Sequence, residues 1–339
     1  MSERIVECVP NFSEGRDQEI IRAIADAGDN CNGARVLGVE PDVDYNRTVL
    51  TIAGEPNSVA EAAFQVIKKS SELIDMRKHS GEHPRLGAVD VCPFVPLNGI
   101  TMDDCVKLAQ DLALRVSQEL GLPTFLYGEA AVSDDRKLLS DLRKGQYEGL
   151  KMRFDNGGPH LPDYGPKEWN RDIEKFGAVV IGARNILVAY NVNVNEKDAK
   201  SAKIAGSMVR STGRLLKKSD GRRIRIPGML PMVQGMGLPL EAHGISQVSM
   251  NLRDVSVTPM HIAYEAVKSI VNDHGIETCG SELVGLVPLS AMIESGKWYA
   301  EIDCDDEVDL VNAAIEGLGL NHLAPFVPNE RIIEWALRK

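Results

Sequence analysis

The hydrophobic pattern of the first hundred residues alternates between the two-residue period of a strand and the longer period of a helix. Short runs rich in β-branched residues predict strands, and apolar residues three and four positions apart predict amphipathic helices. The predicted order is strand, helix, strand, strand, helix, strand, over residues 5–9, 17–30, 35–39, 47–52, 58–74 and 86–95. A helix (103–120), a strand (124–127) and a shorter helix (134–142) are predicted to follow.

The second half of the chain repeats this order. Thr258 and Pro259 carry the signature of a helix N-cap followed by proline at the first helical position. The predicted elements are 186–194, 196–210, 232–240, 247–252, 258–274 and 282–287. This order is that of the ferredoxin-like plait, in which both helices lie on one face of an antiparallel sheet. The pattern predicts an α+β protein of two ferredoxin-like (βαββαβ) subdomains, residues 1–180 and 181–339.

Residues 156–176, between the two predicted subdomains, show no period. Gly, Pro and Asp dominate the start of the segment, NGGPHLPDYGP. A loop of this length within a compact chain is usually a linker or a ligand-binding loop. We predict that this segment serves as one of these or as both.

The composition narrows the class of protein. Hydrophobic residues make up 43% and charged residues 26% of the 339 residues, which is typical of a globular chain. Lys+Arg 38 against Asp+Glu 49 gives a net charge of −11, which disfavours a nucleic-acid partner. The chain shows no membrane-length apolar run, no signal peptide and, among its six cysteines, no CxxC spacing. We therefore expect reduced thiols and a cytoplasmic protein with no membrane partner.

The densest polar cluster is RKHSGEHPRLGAVDVCPF, residues 77–94. His79 and His83 have the spacing of two metal ligands on one helix face, but Gly81 and Pro84 argue against a helix. A histidine on a polar loop beside a carboxylate suits general acid–base catalysis, because its ordinary pKa is about 6.5. A solvated charged loop is the third interpretation, and the pattern alone leaves all three open.

Three other polar segments are candidates for weaker roles. The segment EPDVDYNRT, residues 40–48, has the composition of an ordinary turn. If this turn faces His83, Glu40 could orient the imidazole or stabilise a cationic reacting group. In VECVPNFSEGR, residues 6–16, Ser13 is interpreted as part of a helix cap and not as a nucleophile. The basic stretch from Arg210 to Arg225 predicts a solvated loop or a local site for a polyanion.

VECVPNFSEGR, IDMRKHSGEHPRLGAVDVCPFVP, LYGEAA and VGLVPL together resemble the formiminotransferase family, over a span from Ile5 to about Ile332. The resemblance implies a homodimer of two-subdomain chains with folate in a cleft between the subdomains. It also implies transfer of a formimidoyl group between N-formimidoyl-L-glutamate and tetrahydrofolate in histidine degradation. Tetrahydrofolate is then a co-substrate and no metal is expected. Because the chain stops at Lys339, a separate cyclodeaminase is expected to take the product.

Carried onto this sequence, the resemblance implies catalytic roles for His83 and for Glu40, where animal members of the family have Asp. The implied folate-binding residues are Gly165, Pro166, Lys167, Glu168, Trp169, Phe176 and Gly177. Formimidoyl transfer passes through a tetrahedral intermediate, and one histidine can take a proton from the attacking nitrogen and return it to the leaving nitrogen. A carboxylate of Glu40 or Glu82 near the cationic carbon would assist.

Three alternatives to this activity stay open. One is formyl transfer between 5-formyltetrahydrofolate and glutamate, and another is a metal-dependent hydrolase with His79 and His83 as ligands. The third is a folate-binding module without activity. If the protein is a formimidoyl transferase, the basic residues 214–225 are a candidate site for the glutamate tail of folate.

Overall fold

The chain divides into two structural units, Met1–Asn185 and Ile186–Lys339. The computed structural model describes residues 4–300 and 304–338. The boundary predicted after residue 180 falls inside a strand, Val179–Ala183, that belongs to the first unit. No helix of the described residues is both long and apolar enough to cross a membrane.

The first unit is built on a seven-stranded sheet. Its strands are β1 (Ile5–Cys8), β2 (Asn11–Phe12), β3 (Ala34–Asp42), β4 (Arg47–Gly54), β5 (Val89–Asn98), β6 (Thr124–Gly128) and β7 (Val179–Ala183). Its helices are α1 (Gln18–Asp29), α2 (Pro56–Leu73), α3 (Met102–Leu120), α4 (Leu139–Leu142), α5 (Leu150–Asn156) and α6 (Arg171–Phe176). The predicted order strand, helix, strand, strand, helix, strand is confirmed. The single helix predicted over 134–142 is wrong, because a 3₁₀ turn, Asp134–Arg136, and the short α4 take its place.

The strands of this sheet follow the order β3, β4, β1 with β2, β5, β7, β6. β1 and β2 form one interrupted strand that pairs with β4 on one side and β5 on the other. The pairs from β3 to β5 are antiparallel, whereas β7 is parallel to both β5 and β6. The sheet is therefore mixed and not purely antiparallel as predicted. β7 is absent from the predicted elements, although its continuous apolar run VVIGA is typical of a strand buried on both faces.

Helices α1, α2 and α3 pack on one face of the sheet. Asp17 caps α1 by accepting hydrogen bonds from the backbone N–H groups of Glu19 and Ile20. Thr101 and Asp104 form a capping box at the start of α3. The core between helices and sheet includes Ile24, Val59, Ile67, Leu112, Val6, Phe12, Leu50, Ile52, Cys92 and Phe94. Each fully buried large apolar side chain contributes about 1.5–3 kcal/mol of transfer free energy.

A second, smaller core lies on the strands β5, β6 and β7. It is formed by Leu86, Val91, Phe125, Val180, Leu150, Phe154 and Ile173, among others. Part of the segment 156–176 is thereby packed into the first unit: it contains α6 and ends at the buried Phe176. The interpretation of this segment as a linker is wrong, because its few apolar side chains suffice to anchor it on the sheet.

Gly177 joins the end of this segment to the residues that follow His83. The backbone of Gly177 has φ +83°, and a Cβ there would lie 2.2 Å from the carbonyl oxygen of Leu86. Only glycine fits this conformation and this close approach. The N–H of Ala178 donates to Leu86 O at 3.0 Å, and the N–H of Ala88 donates to Phe176 O at 2.7 Å. Gly177 thus allows the pairing that holds the end of the histidine loop.

The second unit has the same order of elements around a four-stranded antiparallel sheet. Its strands are β8 (Val188–Val194), β9 (Arg214–Lys217), β10 (Arg223–Ile226), β11 (Val233–Leu240), β12 (Ile245–Leu252) and β13 (Thr278–Val284). Its helices are α7 (Lys200–Val209), α8 (Met260–Asn272), α9 (Leu289–Tyr299), α10 (Glu307–Leu318), α11 (Pro328–Arg331) and α12 (Ile333–Leu337). The sheet order is β11, β12, β8, β13. In both units, the fourth strand of the repeat therefore pairs with the first, the first with the third, and the third with the second.

Two sequence predictions in the second unit are wrong in detail. Pro259, and not Thr258, is the N-cap of α8, because the Thr258 hydroxyl donates to Pro231 O at 2.6 Å. The basic stretch forms a hairpin of the exposed strands β9 and β10, and not a loop. The Asp220–Gly221 dipeptide between these strands is the sequence signal for this hairpin.

Candidate active site

The residues around His83 form a loop on the way to β5, as the sequence predicted. Gly81 and Pro84 lie within it, and residues 79–86 form neither helix nor strand. The turn between β3 and β4 holds this loop through Asn46, whose side-chain amide donates to Ser80 O at 2.9 Å. His79 Nε2 lies 2.9 Å from Asn46 O. The two polar clusters singled out in the sequence, 77–94 and 40–48, are therefore in direct contact.

His83 is 9% exposed and faces a cation. Its Nε2 lies 3.3 Å from Nη1 of Arg47, and its ring meets the ring of Tyr45 edge-on at a centroid distance of 6.3 Å. A guanidinium can only donate, so Nε2 accepts this hydrogen bond and the neutral ring carries its proton on Nδ1. The lone pair of His83 that a base would use is thus occupied by Arg47.

Burial, followed by the positive charges of Arg47, Arg143 and Arg85, lowers the pKa of His83 to about 3. The ordinary value of about 6.5 assumed from sequence is therefore wrong for His83 in this buried site beside three arginines. At neutral pH the ring is unprotonated, and in this state it is a weak base.

This lowered pKa predicts that His83 makes stability sensitive to acid. The unfolded chain binds a proton at His83 below pH about 6.5, whereas the native protein binds it only near pH 3. The group's contribution to stability is therefore complete above pH about 6.5 and is lost as pH falls toward 3, by up to about 1.4 kcal/mol per pH unit. Urea unfolding of wild type and His83→Gln between about pH 7 and pH 4 should show the steeper decline in wild type. If the free energy of unfolding fell equally with pH in the two proteins, the lowered pKa of His83 would be contradicted.

His79 is held at both ring nitrogens. Arg85 Nε donates to Nδ1 at 3.3 Å, so Nε2 carries the proton and donates to Asn46 O. Arg85 is itself held by a two-point ion pair with Glu148, at 2.9 and 2.6 Å. These contacts give His79 a positioning role in the loop. Among the described residues, no three His, Cys, Asp or Glu side chains are grouped so as to hold a metal ion.

A cavity of about 490 Å³ opens beside this network. Its lining residues are His79, Ser80, Gly81, Arg85, Gly145, Gln146 and Glu148. The cavity lies within the first unit and shares the histidine loop with His83. A small polar substrate therefore has access to the loop from this side.

Arg47 connects His83 to the sheet. Its Nη1 also donates to Asn11 Oδ1 at 3.3 Å, and its guanidinium lies 5.8 Å from the centre of the Tyr45 ring. Its Nε is buried without a hydrogen-bond partner. Arg47 forms no ion pair with a carboxylate of the described residues. Arg47 is therefore a half-buried cation whose hydrogen-bonding capacity is poorly used.

An ion pair between Asp90 and Arg143 holds the end of the histidine loop. The Asp90 side chain is 1% exposed and accepts from Arg143 Nη2, and its other oxygen accepts from the N–H of Leu86 at 2.9 Å. Burial raises the pKa of Asp90, although Arg143 opposes this shift. Arg143 was not predictable as a site residue, because a cation after a short helix carries no distinct sequence signal. The guanidinium of Arg143 is also one of the positive charges that act on His83.

Glu40 is exposed and lies in β3 opposite Val49 of β4. Arg47 is two residues from Val49 on the same strand, so Glu40 and Arg47 lie on the same face of the sheet. Glu40 therefore lies on the face from which Arg47 reaches His83.

Ser13 ties β2 to the histidine loop. Its hydroxyl donates to Gly87 O at 2.8 Å, and the side chain is buried. The interpretation of Ser13 as a helix cap is wrong, because Asp17 caps α1. Its buried hydrogen bond gives Ser13 a structural role.

The implied folate segment has an accessible part and a buried part. Residues 165–169 are exposed or partly exposed, and Trp169 meets Phe154 edge-on at a centroid distance of 5.8 Å. Lys167 Nζ donates to Pro162 O. Phe176 is 2% exposed and, with Gly177, is part of the interior. Residues 165–169 are therefore the part of this segment that a ligand can reach.

Family comparisons cover both units. The N-terminal subdomain of the formiminotransferase domain matches residues 5–184, and the formiminotransferase domain matches residues 189–338. With the duplicated α+β units and the histidine site, these matches define the class: the chain belongs to the formiminotransferase family.

Individual relatives are similar along most of the chain. It is 41% identical over 339 residues to the formimidoyltransferase-cyclodeaminase of Rattus norvegicus, a match that covers 98% of this chain but 60% of that protein. It is 40% identical over 314 residues to the glutamate formimidoyltransferase of Thermoplasma acidophilum, with 92% of this chain and 97% of that one covered. The protein of the same name from Streptococcus pyogenes serotype M1 is 36% identical over 300 residues, with 88% and 94% covered.

Proposed function

We propose that this protein transfers a formimidoyl group between N-formimidoyl-L-glutamate and tetrahydrofolate, as a glutamate formimidoyltransferase. Two relatives that bear this name are similar along nearly their whole length. The observation that carries the proposal is the neutral imidazole of His83, which is largely buried in a site lined by arginines. Such a site suits substrates that carry carboxylates and a reaction that needs a proton moved between two nitrogens.

His83 supplies general acid–base catalysis in this reaction. A nitrogen of tetrahydrofolate attacks the amidine carbon, and the bond from that carbon to the glutamate nitrogen breaks. His83 Nε2 accepts the proton released by the attacking nitrogen and returns it to the glutamate nitrogen as the latter leaves. A positioned acid–base group typically accelerates such a step about 10²–10⁴-fold.

Glu40 is proposed to stabilise the positive charge of the amidine. Glu40 lies on the same sheet face as Arg47. Its carboxylate would act through its charge and would form no covalent bond with the substrate. Its exposure in the protein without substrate allows it to approach a ligand bound beside His83.

Folate is proposed to bind along the segment that follows Asp163. The candidate residues are Gly165, Pro166, Lys167, Glu168 and Trp169, with Phe176 and Gly177 fixing the end of the segment. Tetrahydrofolate acts as a co-substrate in this scheme, and no metal takes part. The strand orders support a ferredoxin-like class for each repeat. The family resemblance supports the rest of the proposal: a folate cleft between the subdomains, a homodimer and a cytoplasmic location.

The test is a direct assay of formimidoyl transfer from N-formimidoyl-L-glutamate to tetrahydrofolate, with and without a chelator. We expect activity that the chelator does not change. A parallel assay with 5-formyltetrahydrofolate and glutamate serves as the control for the transferred group. Transfer of formyl alone would make the proposed substrate wrong, and activity abolished by chelation would favour a metal-dependent enzyme.

A further inference from the structure

The hydrogen bonds and burial of Arg47 suit a cation that binds an anionic ligand. It is in direct contact with His83, yet both hydrogen bonds of its Nη1, to His83 and to Asn11, are long at 3.3 Å. Its Nε is buried without a partner, and none of the described carboxylates forms an ion pair with it. Asp42, the cross-strand neighbour of Arg47, and Asp90 act on this charge only from beyond ion-pair distance. A buried charge without an ion-pair partner is costly, and an entering carboxylate would offset that cost.

Three other arginines of the first unit that have little exposure are paired with carboxylates, whereas Arg153, which has a buried Nη1 without a partner, resembles Arg47 but is not among the charges that act on His83. Arg85 is paired at two points with Glu148, and Arg136 is paired with Asp163 at 2.5 Å. Arg143 is paired with Asp90. Arg47, the arginine that touches His83, therefore differs from these three in lacking a carboxylate.

We propose that Arg47 binds the α-carboxylate of the glutamate substrate, and that this binding frees His83 Nε2 to act as the base. The inference rests on the proposed function and assigns a carboxylate subsite within it. The formimidoyl group is carried by the nitrogen on the α-carbon, so the α-carboxylate is the substrate anion nearest the reacting bond. A carboxylate on Arg47 therefore places the reacting nitrogen beside His83, whereas the γ-carboxylate extends away from it.

The same binding event changes the charge around His83. The groups that act on its ring are Arg47 on β4, Arg143 after α4, and Arg85 and His79 on the same loop, with Asp90 of β5 paired to Arg143. A carboxylate on Arg47 neutralises the nearest of these charges and replaces the imidazole as acceptor of its N–H. We expect the pKa of His83 to rise toward its ordinary value, so the base becomes effective only when substrate is present.

The experiment is an NMR titration of histidine-labelled protein against pH, with L-glutamate as the probe. In wild type, the His83 signal should stay neutral to about pH 4 alone and titrate at least one unit higher with saturating L-glutamate. L-glutamine, which keeps the α-carboxylate, should reproduce the shift, and isoglutamine, which lacks it, should not.

The same titration is made with variants. Arg47→Gln should raise the pKa of His83 without ligand and abolish the shift caused by L-glutamate. Arg47→Lys keeps the positive charge, so L-glutamate should still raise the pKa of His83, but by less than in wild type. Arg115→Gln, on the helix side of the sheet, is the matched control and should behave as wild type.

In steady-state assays, Arg47→Gln should raise the KM for N-formimidoyl-L-glutamate about 10- to 100-fold, the loss expected for a charge-assisted hydrogen bond. The KM for tetrahydrofolate should change little. The inference would be overturned if glutamate bound to wild type without moving the His83 signal. It would also be overturned if glutamate bound to Arg47→Gln as tightly as to wild type. So would a response to isoglutamine and not to glutamine. The titration needs no turnover, so failure of the proposed activity is recognised separately, by the transfer assay of the wild type.

Discussion

Replacement of His83 by alanine is expected to lower kcat for formimidoyl transfer by about 10²–10⁴-fold, the range for loss of a positioned acid–base group. The physical reason is that Nε2 of His83 is the unprotonated ring nitrogen beside Arg47, where the glutamate nitrogen is proposed to bind. The KM values should change less than kcat, because His83 acts on the proton and not on the carboxylates. The measurement is steady-state kinetics of wild type and His83→Ala across pH.

Two controls separate catalysis from folding in this experiment. His243→Ala removes an exposed histidine of the second unit and should leave kcat unchanged. Added imidazole should restore part of the activity of His83→Ala, since the truncated side chain leaves space for it. Activity of His83→Ala within a few-fold of wild type would show that another group moves the proton.

The element order was predictable from sequence because it depends on local periodicity. The apolar spacing of α2 and the β-branched run of β4 each identify one element without reference to the rest of the chain. The strand β7 was missed because a fully buried strand next to irregular segments shows no alternation. The segment before it resembles a linker in sequence for a related reason: few of its residues are apolar, and tertiary contacts decide how they pack on the sheet.

The candidate site was predictable in part. The glycine and proline beside His83 correctly predicted a loop, and the chemistry of histidine made it a candidate base. The charge around it was not predictable, because Arg47 and Arg143 come from distant parts of the chain and meet His83 only in the folded protein. Their effect reverses the expectation of an ordinary pKa. The sequence thus made His83 a candidate base, but it did not show the charges that lower the pKa of that base.

Replacement of Asp90 by alanine is expected to lower the free energy of unfolding by about 3–5 kcal/mol, the cost of leaving one charge of a buried ion pair unpaired. Arg143 would lose its carboxylate, and the N–H of Leu86 would lose its acceptor. Both losses fall at the end of the histidine loop, so activity should decline with stability. Urea unfolding of the purified variant measures the effect.

Two further variants test whether the ion pair is the cause. Asp155→Ala breaks an exposed pair with Lys151 and should cost less than about 1 kcal/mol. The double variant Asp90→Asn with Arg143→Met removes both charges and keeps an acceptor for Leu86, so it should recover most of the lost stability. Recovery of stability without recovery of activity would show that the charge of Arg143 serves the site as well as the fold. If Asp90→Ala costs no more than Asp155→Ala, the pair does not hold the loop, and the low exposure of Asp90 has another explanation.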